Sequence, residues 1–207
     1  WTHIGGLLFL LGILTLGSSA GTFDILNMQT LTFNLGLGQA LPIVVVLMIT
    51  IGLFVKMAVF GVHIWLPYAH AEAPTPVSAL LSPALIGISG YALIRISYTL
   101  FPIQFQEISI VLMGLALLTM IYGGLMALAQ DDFKRLLAYS SISQMGYILL
   151  GISTLTTNGV TGGVLHFTTH AIGKSVLFMV AGTLIFQFRG LRSISKMGGL
   201  ASKVPIT

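Results

Sequence analysis

Of 207 residues, 56% are hydrophobic and only 7% charged, against about 25% charged in an ordinary soluble domain; the chain is therefore an all-α, polytopic membrane helix bundle. Cysteine is absent, which removes disulfides, thiolate metal sites and any iron–sulfur cluster held by this chain, so redox centres would lie on partners. Nine Lys and Arg against five Asp and Glu make the chain basic, but membrane topology accounts for that balance, and nucleic acid is set aside as a partner.

A spanning helix needs about 20 mostly apolar residues, and six segments meet or approach that test, at about 3–19, 39–67, 76–99, 107–130, 135–154 and 159–187. The first opens at Trp1 with no initiator Met, basic start or cleavage site, as expected of a fragment of a longer chain. Next comes GTFDILNMQTLTFNLGLGQ, residues 21–39, too mixed in polarity to span and expected to be a surface loop.

The second segment runs 29 residues from Gln39 to Pro67 and contains Lys56, Gly61 and His63. A straight helix of that length overshoots a hydrocarbon core about 30 Å thick. A break is expected near Phe60 to Val62, with an unwound turn beside Lys56. Such a break is tolerated at membrane depth only where protein or a water-filled cavity satisfies the freed backbone groups.

The third segment reads as a continuous helix, with no basic residue between Pro76 and Arg95 and a mid-helix Gly87 that alanine could replace. The fourth ends at Asp131 and Asp132. The fifth carries Ser140, Ser141, Ser143 and Gln144, which can hydrate a neighbouring helix. In the sixth, His166, His170 and Lys174 stand at i, i+4 and i+8, one stripe about 12 Å long at the 1.5 Å rise of a helix. Beyond it, Gly190 to Thr207 mixes Arg192, Lys196 and Lys203 with apolar residues and is expected to lie at the membrane interface.

If the six segments alternate, Lys134, Arg135, Arg189, Arg192, Lys196 and Lys203 share one face and Arg95 alone lies near the other. The bias puts the His70–Glu72 loop and the C-terminal tail on the cytoplasmic side.

A lysine near the centre of a membrane helix costs about 2.5–3.5 kcal/mol on insertion scales and is by default functional. Lys174 and Lys56 qualify. His170 and His166 can pass a proton between ring nitrogens; His63 either bonds unwound backbone or gates. His70, Glu72, Asp131 and Asp132 stand at segment ends, where capping and solvent exposure are expected. The His166–His170 pair has the spacing of half a zinc site, but the next residue on the stripe is a lysine, so no metal is expected.

Three stretches together, KMAVFGVHIWLPYAHAEAPTPVSALL, QDDFKRLLAYSSISQMGYILLGI and LHFTTHAIGKSVLFMVAGTLI, resemble the central block of the antiporter-like membrane subunits of respiratory complex I, membrane-bound hydrogenases and multisubunit sodium/proton antiporters. The resemblance covers nearly the whole chain and implies an inverted-repeat fold of about fourteen helices, of which these are the sixth to eleventh. Residues 1–207 would then be a single membrane domain, with 76–99 and 107–130 flanking the repeat junction. By position, Lys56 matches the family's lysine in its broken helix, Lys174 the central lysine of the second half-channel, His166 and His170 the preceding histidines, and His63 the break motif. One departure is that some members carry a lysine near Gly87, so any relay between the half-channels here would use water, histidine or hydroxyl groups.

The resemblance implies a subunit moving protons, or Na⁺ against protons, within a membrane-bound oxidoreductase complex of an energy-converting membrane. No cofactor is expected on this chain, and iron–sulfur, nickel–iron or flavin centres would sit on peripheral redox subunits. Two alternatives stay open: a cation/proton antiporter subunit without a redox partner, and a non-conducting scaffold that binds lipid and sister subunits.

Overall fold

The structure, a computed structural model, describes residues 1–28 and 40–200. Helix α1 spans Thr2–Ala20 and α2 Ala40–Met57. A short α3, Trp65–Glu72, follows the interruption, and α4 occupies Thr75–Tyr98. Helices α5, Pro102–Leu128, α6, Phe133–Ser153, and α7, Thr157–Gln187, complete the bundle. Five of these helices are long and apolar enough to cross a membrane. The second expected segment is divided, α2 ending at Met57 and α3 beginning at Trp65.

Local chemistry sets several of the ends. Pro102 occupies the first turn of α5, where its missing N–H is no loss and its fixed φ suits the helix. That start lies before the expected 107 because Glu107 is exposed and tolerated within the helix. The Asp132 carboxylate accepts from the Arg135 N–H at 3.0 Å and opens α6, and the Thr156 hydroxyl accepts from the Gly159 N–H at 3.1 Å and opens α7. Each side chain satisfies an amide with no partner inside its own helix.

Helices α5 and α6 touch backbone to backbone. A Cβ on Gly146 would lie 2.6 Å from the Met120 nitrogen, and one on Gly123 would lie 2.5 Å from the Ser143 nitrogen. Such small-residue seams let membrane helices gain dispersion contact without a hydrophobic driving force. The Ser143 hydroxyl crosses this seam to the Met120 carbonyl at 2.8 Å.

The break is present and encloses the expected Phe60 to Val62, beginning directly after Met57 and ending at Trp65. Ala58 and Gly61 take positive φ, 57° and 91°. Protein groups satisfy the freed backbone. Trp65 Nε1 donates to the Val55 carbonyl at 2.7 Å, the Phe60 N–H donates to Thr119 Oγ1 of α5 at 3.1 Å, and the Val59 N–H donates to the Phe54 carbonyl at 3.1 Å. The condition for a discontinuous helix at membrane depth is therefore met by side chains of this chain.

Helix α4 departs from the continuous α-helix expected of it, since Leu81–Ile86 and Leu93–Tyr98 are π-helical. Gly87, between them, is not freely replaceable: a Cβ there would lie 2.0 Å from Cε2 of Phe167. The Phe167 ring of α7 is seated on that glycine.

The stretch read as a surface loop begins as irregular chain over 21–24 and then makes a helical turn over 25–28, where Met28 is buried; 29–39 lie outside the described residues. After α7 the tail folds back onto the α5–α6 turn. The Ser193 hydroxyl and the Ser195 N–H donate to the Asp131 carboxylate at 2.6 and 2.9 Å, and the Ile194 N–H donates to the Asp131 carbonyl at 2.8 Å. Lys203 lies outside the described residues.

Candidate functional site

Helix α7, 31 residues long, brings the stripe into the bundle, and the stripe is buried unevenly. Lys174 is 4% exposed and His170 6%, while His166 is half-buried. Lys174 Nζ donates to the Leu137 carbonyl of α6 at 2.9 Å, so its partner is a neutral dipole rather than a carboxylate. Ser141 Oγ donates to that same carbonyl at 3.0 Å and lies 2.8 Å from Ser82 Oγ in the first π-helical stretch of α4. Ser82 and Ser141 thus form a hydroxyl pair that ends on the same carbonyl that holds the Lys174 ammonium.

Within the stripe, His166 turns to a neighbouring helix. Its Nε2 lies 2.7 Å from Gln144 Oε1 of α6, and its ring sits 5.6 Å from that of Tyr147. Gln144 and Tyr147 line an open cleft of about 530 Å³ with Ser140 and Ser143. His166 is therefore directed to α6, whereas neither ring nitrogen of His170 has a partner among the described residues.

Lys56 and His63 lie at the break. Lys56 stands in the last turn of α2, where a cation is favoured by the carbonyl end of the helix. It is half-buried and opens on a cleft of about 620 Å³ lined by Thr2, His3 and Leu10 of α1 and by Trp65 and Leu85. His63 is buried on the α5 side, its ring 5.7 Å from Phe60 and 4.8 Å from Tyr122. The five residues singled out in the sequence therefore form two groups, one at the break and one on α7, which do not merge into a single site.

Two residues were missed. His70, expected at a solvated helix end, is 0% exposed, its ring stacked on Phe178 of α7 at 4.7 Å, with neither nitrogen partnered among the described residues. Lys134, expected as a surface charge, is 1% exposed and its ammonium donates to the Ala73 carbonyl. Arg192 Nη1 donates to the Ala71 carbonyl at 2.7 Å, so two cations meet the carbonyl end of α3. A signal was available: Pro74 follows the end of α3, leaving carbonyls that require donors. Among the described residues no group of His and acidic side chains has the arrangement of a metal site.

A bundle of helices long and apolar enough to cross a membrane, one of them interrupted, is the architecture of a multi-pass membrane protein. Residues 1–207 match the family described as NADH:quinone oxidoreductase/Mrp antiporter, transmembrane, and the chain belongs to it. The NADH-quinone oxidoreductase subunit M of Rickettsia bellii (strain RML369-C) is 37% identical over 206 residues, covering 100% of this chain and 41% of that protein. A chain of respiratory complex I from Thermus thermophilus with bound NADH superposes with a TM-score of 0.88 at 31% identity, over 99% of this chain and 43% of its own length. A chain of the Mrp complex from Dietzia sp. DQ12-45-1b gives a TM-score of 0.88 at 27% identity, over 99% and 37% respectively. The chain thus spans about two fifths of the length of these relatives.

Proposed function

We propose that this protein translocates protons, or exchanges Na⁺ for protons, as an antiporter-like membrane subunit of a multisubunit oxidoreductase complex. The observation that carries the proposal is Lys174: an ammonium buried to 4% exposure and held by the Leu137 carbonyl, which also accepts from the Ser141 hydroxyl. Such a group is costly in a membrane and has little structural use. Lys174 and His170 carry the ion through one half-path, with His166 at its lateral cleft; Lys56 and His63 serve the half-path at the break. The junction of the two inverted repeats falls between 76–99 and 107–130. The tail from Arg189 onward lies on the cytoplasmic side, as its basic residues favour.

The chain itself does no redox chemistry in this scheme. Electron transfer at iron–sulfur, nickel–iron or flavin centres on peripheral subunits supplies the energy, and sister membrane subunits and lipid surround the bundle. The likeness to the Mrp chain favours a second reading, a cation/proton antiporter subunit with no redox partner. Co-purification separates the two: iron–sulfur or nickel–iron proteins in the isolated complex support the first, and a redox-free assembly supports the second. Transport through Lys174 is tested directly by Lys174→Ala in reconstituted vesicles, which is expected to assemble and to lose ion transport; normal pumping by that variant sinks the scheme.

A further inference from the structure

The half-helix α3 is held at both ends. At its start, in the break, Ala58 and Gly61 take positive φ, and Trp65 Nε1 donates to the Val55 carbonyl, next in sequence to Lys56. Trp65 and Ala69 of α3 form one wall of the cleft on which Lys56 opens. At the carbonyl end of α3, Lys134 of α6 donates to Ala73, and Arg192 Nη1 donates to Ala71 at 2.7 Å. Arg135 Cζ also lies 5.7 Å from the centroid of the Tyr68 ring, so α3 rests on the start of α6.

Arg192 differs from the other two cations because it comes from the segment that follows α7. Gly190 turns the chain there, with φ 90° and its N–H on the Ile185 carbonyl at 2.7 Å. The next residues are fastened across the α5–α6 turn: the Phe133 N–H donates to the Arg192 carbonyl at 3.0 Å, the Ile194 N–H to the Asp131 carbonyl at 2.8 Å, and the Ser193 hydroxyl to the Asp131 carboxylate at 2.6 Å. A cation placed on this side by topology alone would turn to water or lipid headgroups. Arg192 instead leaves a fixed backbone and crosses to a carbonyl 121 positions away, at the negative end of the α3 dipole.

We propose that Arg192 is a positioning residue for Lys56 and acts through α3. The inference rests on Lys56 taking part in transport. Lys56 and Lys174 stand in separate groups, and the strap after α7 joins those groups mechanically. Helix α7 ends in the turn at Gly190, the turn leads to Arg192, Arg192 holds Ala71, and α3 carries the Trp65 and Ala69 wall up to Lys56. With this latch closed, a displacement of α7 is passed to the wall of the Lys56 cleft. With it open, α3 pivots on Ala58 and Gly61, whose backbone forms the hinge, and the cleft changes shape independently of α7.

The test uses the full-length protein in its native membrane complex, reconstituted in vesicles, with proton uptake and hydrogen exchange by mass spectrometry measured on Arg192→Met, Arg192→Lys and Lys56→Ala. Arg192→Met keeps an apolar stem of similar length and removes the donor, so exchange over 59–70 should rise by about tenfold while exchange over α5 stays native and uptake falls severalfold. Arg192→Lys keeps a cation for the Ala71 carbonyl and should recover most of both losses. Reduced uptake by Arg192→Met with native exchange over 59–70, an equal rise over α5, or a lysine variant as poor as the methionine one overturns the inference. Native uptake by Arg192→Met beside an inactive Lys56→Ala overturns the inference alone, whereas native uptake by Lys56→Ala overturns the reading of Lys56 and the inference with it. Should Arg192→Met fail to assemble, Arg192→Gln is measured in its place with the same readings; failure of both to assemble makes Arg192 a packing residue and overturns its positioning role.

Discussion

Lys174 and Ser141 share one acceptor, the Leu137 carbonyl, at 2.9 and 3.0 Å. A carbonyl with two lone pairs accepts both donors, so the ammonium is held without a counter-charge and can give up its proton without leaving a carboxylate stranded. Arginine cannot do this, because it stays protonated at all accessible pH. Lys174→Arg should therefore assemble but transport about as poorly as Lys174→Ala, measured as proton uptake in vesicles; recovery of more than half the native rate would show that charge alone suffices.

The two α7 histidines should respond differently to glutamine. His166 already has Gln144 as a partner at 2.7 Å, and a glutamine amide can take over that hydrogen bond. His170 is the more buried and has no partner among the described residues. His170→Gln should cut uptake severalfold and alter its pH dependence, whereas His166→Gln should have the smaller effect. Equal and negligible effects with intact assembly would mean that both rings only pack.

Gly87→Ala should destabilise the bundle, because the new methyl meets the Phe167 ring at 2.0 Å and overpacking costs about 1–3 kcal/mol. Phe167→Leu in the same chain should recover much of that loss, a coupling visible in a thermal melt of the detergent-solubilised protein. At Gly61 the cause differs: an added Cβ finds open space, but φ is 91°. Gly61→Ala should then cost about 1 kcal/mol of backbone strain, and no neighbouring substitution should relieve it.

The tail should loosen in acid. The Ser193 hydroxyl, the Ser195 N–H and, more weakly, the Lys196 charge hold the Asp131 carboxyl below its usual range. A group whose folded pKa is lowered contributes its full stabilisation above the unfolded value, about 3.9 for Asp, and loses it as pH falls through the folded value. Hydrogen exchange at the Ile194 and Ser195 amides should therefore be protected at neutral pH and lose protection below about pH 4, beyond the intrinsic pH dependence of exchange. Asp131→Asn should show weaker protection at neutral pH and no such transition.

Hydropathy made the spanning segments legible because membrane insertion is decided locally, by about 20 consecutive residues. The break was legible for the same reason, since a 29-residue run is too long for one straight span and carries Lys56 and Gly61 in its second half. What satisfies the break was not. Val55 finds its donor on Trp65, and Phe60 finds Thr119 some sixty positions away on α5. In a membrane, lipid-facing and protein-facing surfaces are both apolar, so periodicity does not say which face of a helix meets a neighbour. For that reason His70, at the end of a short helix, read as a solvated residue until α7 laid Phe178 over it. The seating of Phe167 on Gly87 and the turn of His166 toward Gln144 were likewise settled by which helices lie side by side. Residue types and spacing along one helix are properties of the sequence; the partners that decide whether a buried polar group is held, free or connected come from other helices, and only the packed bundle supplies them.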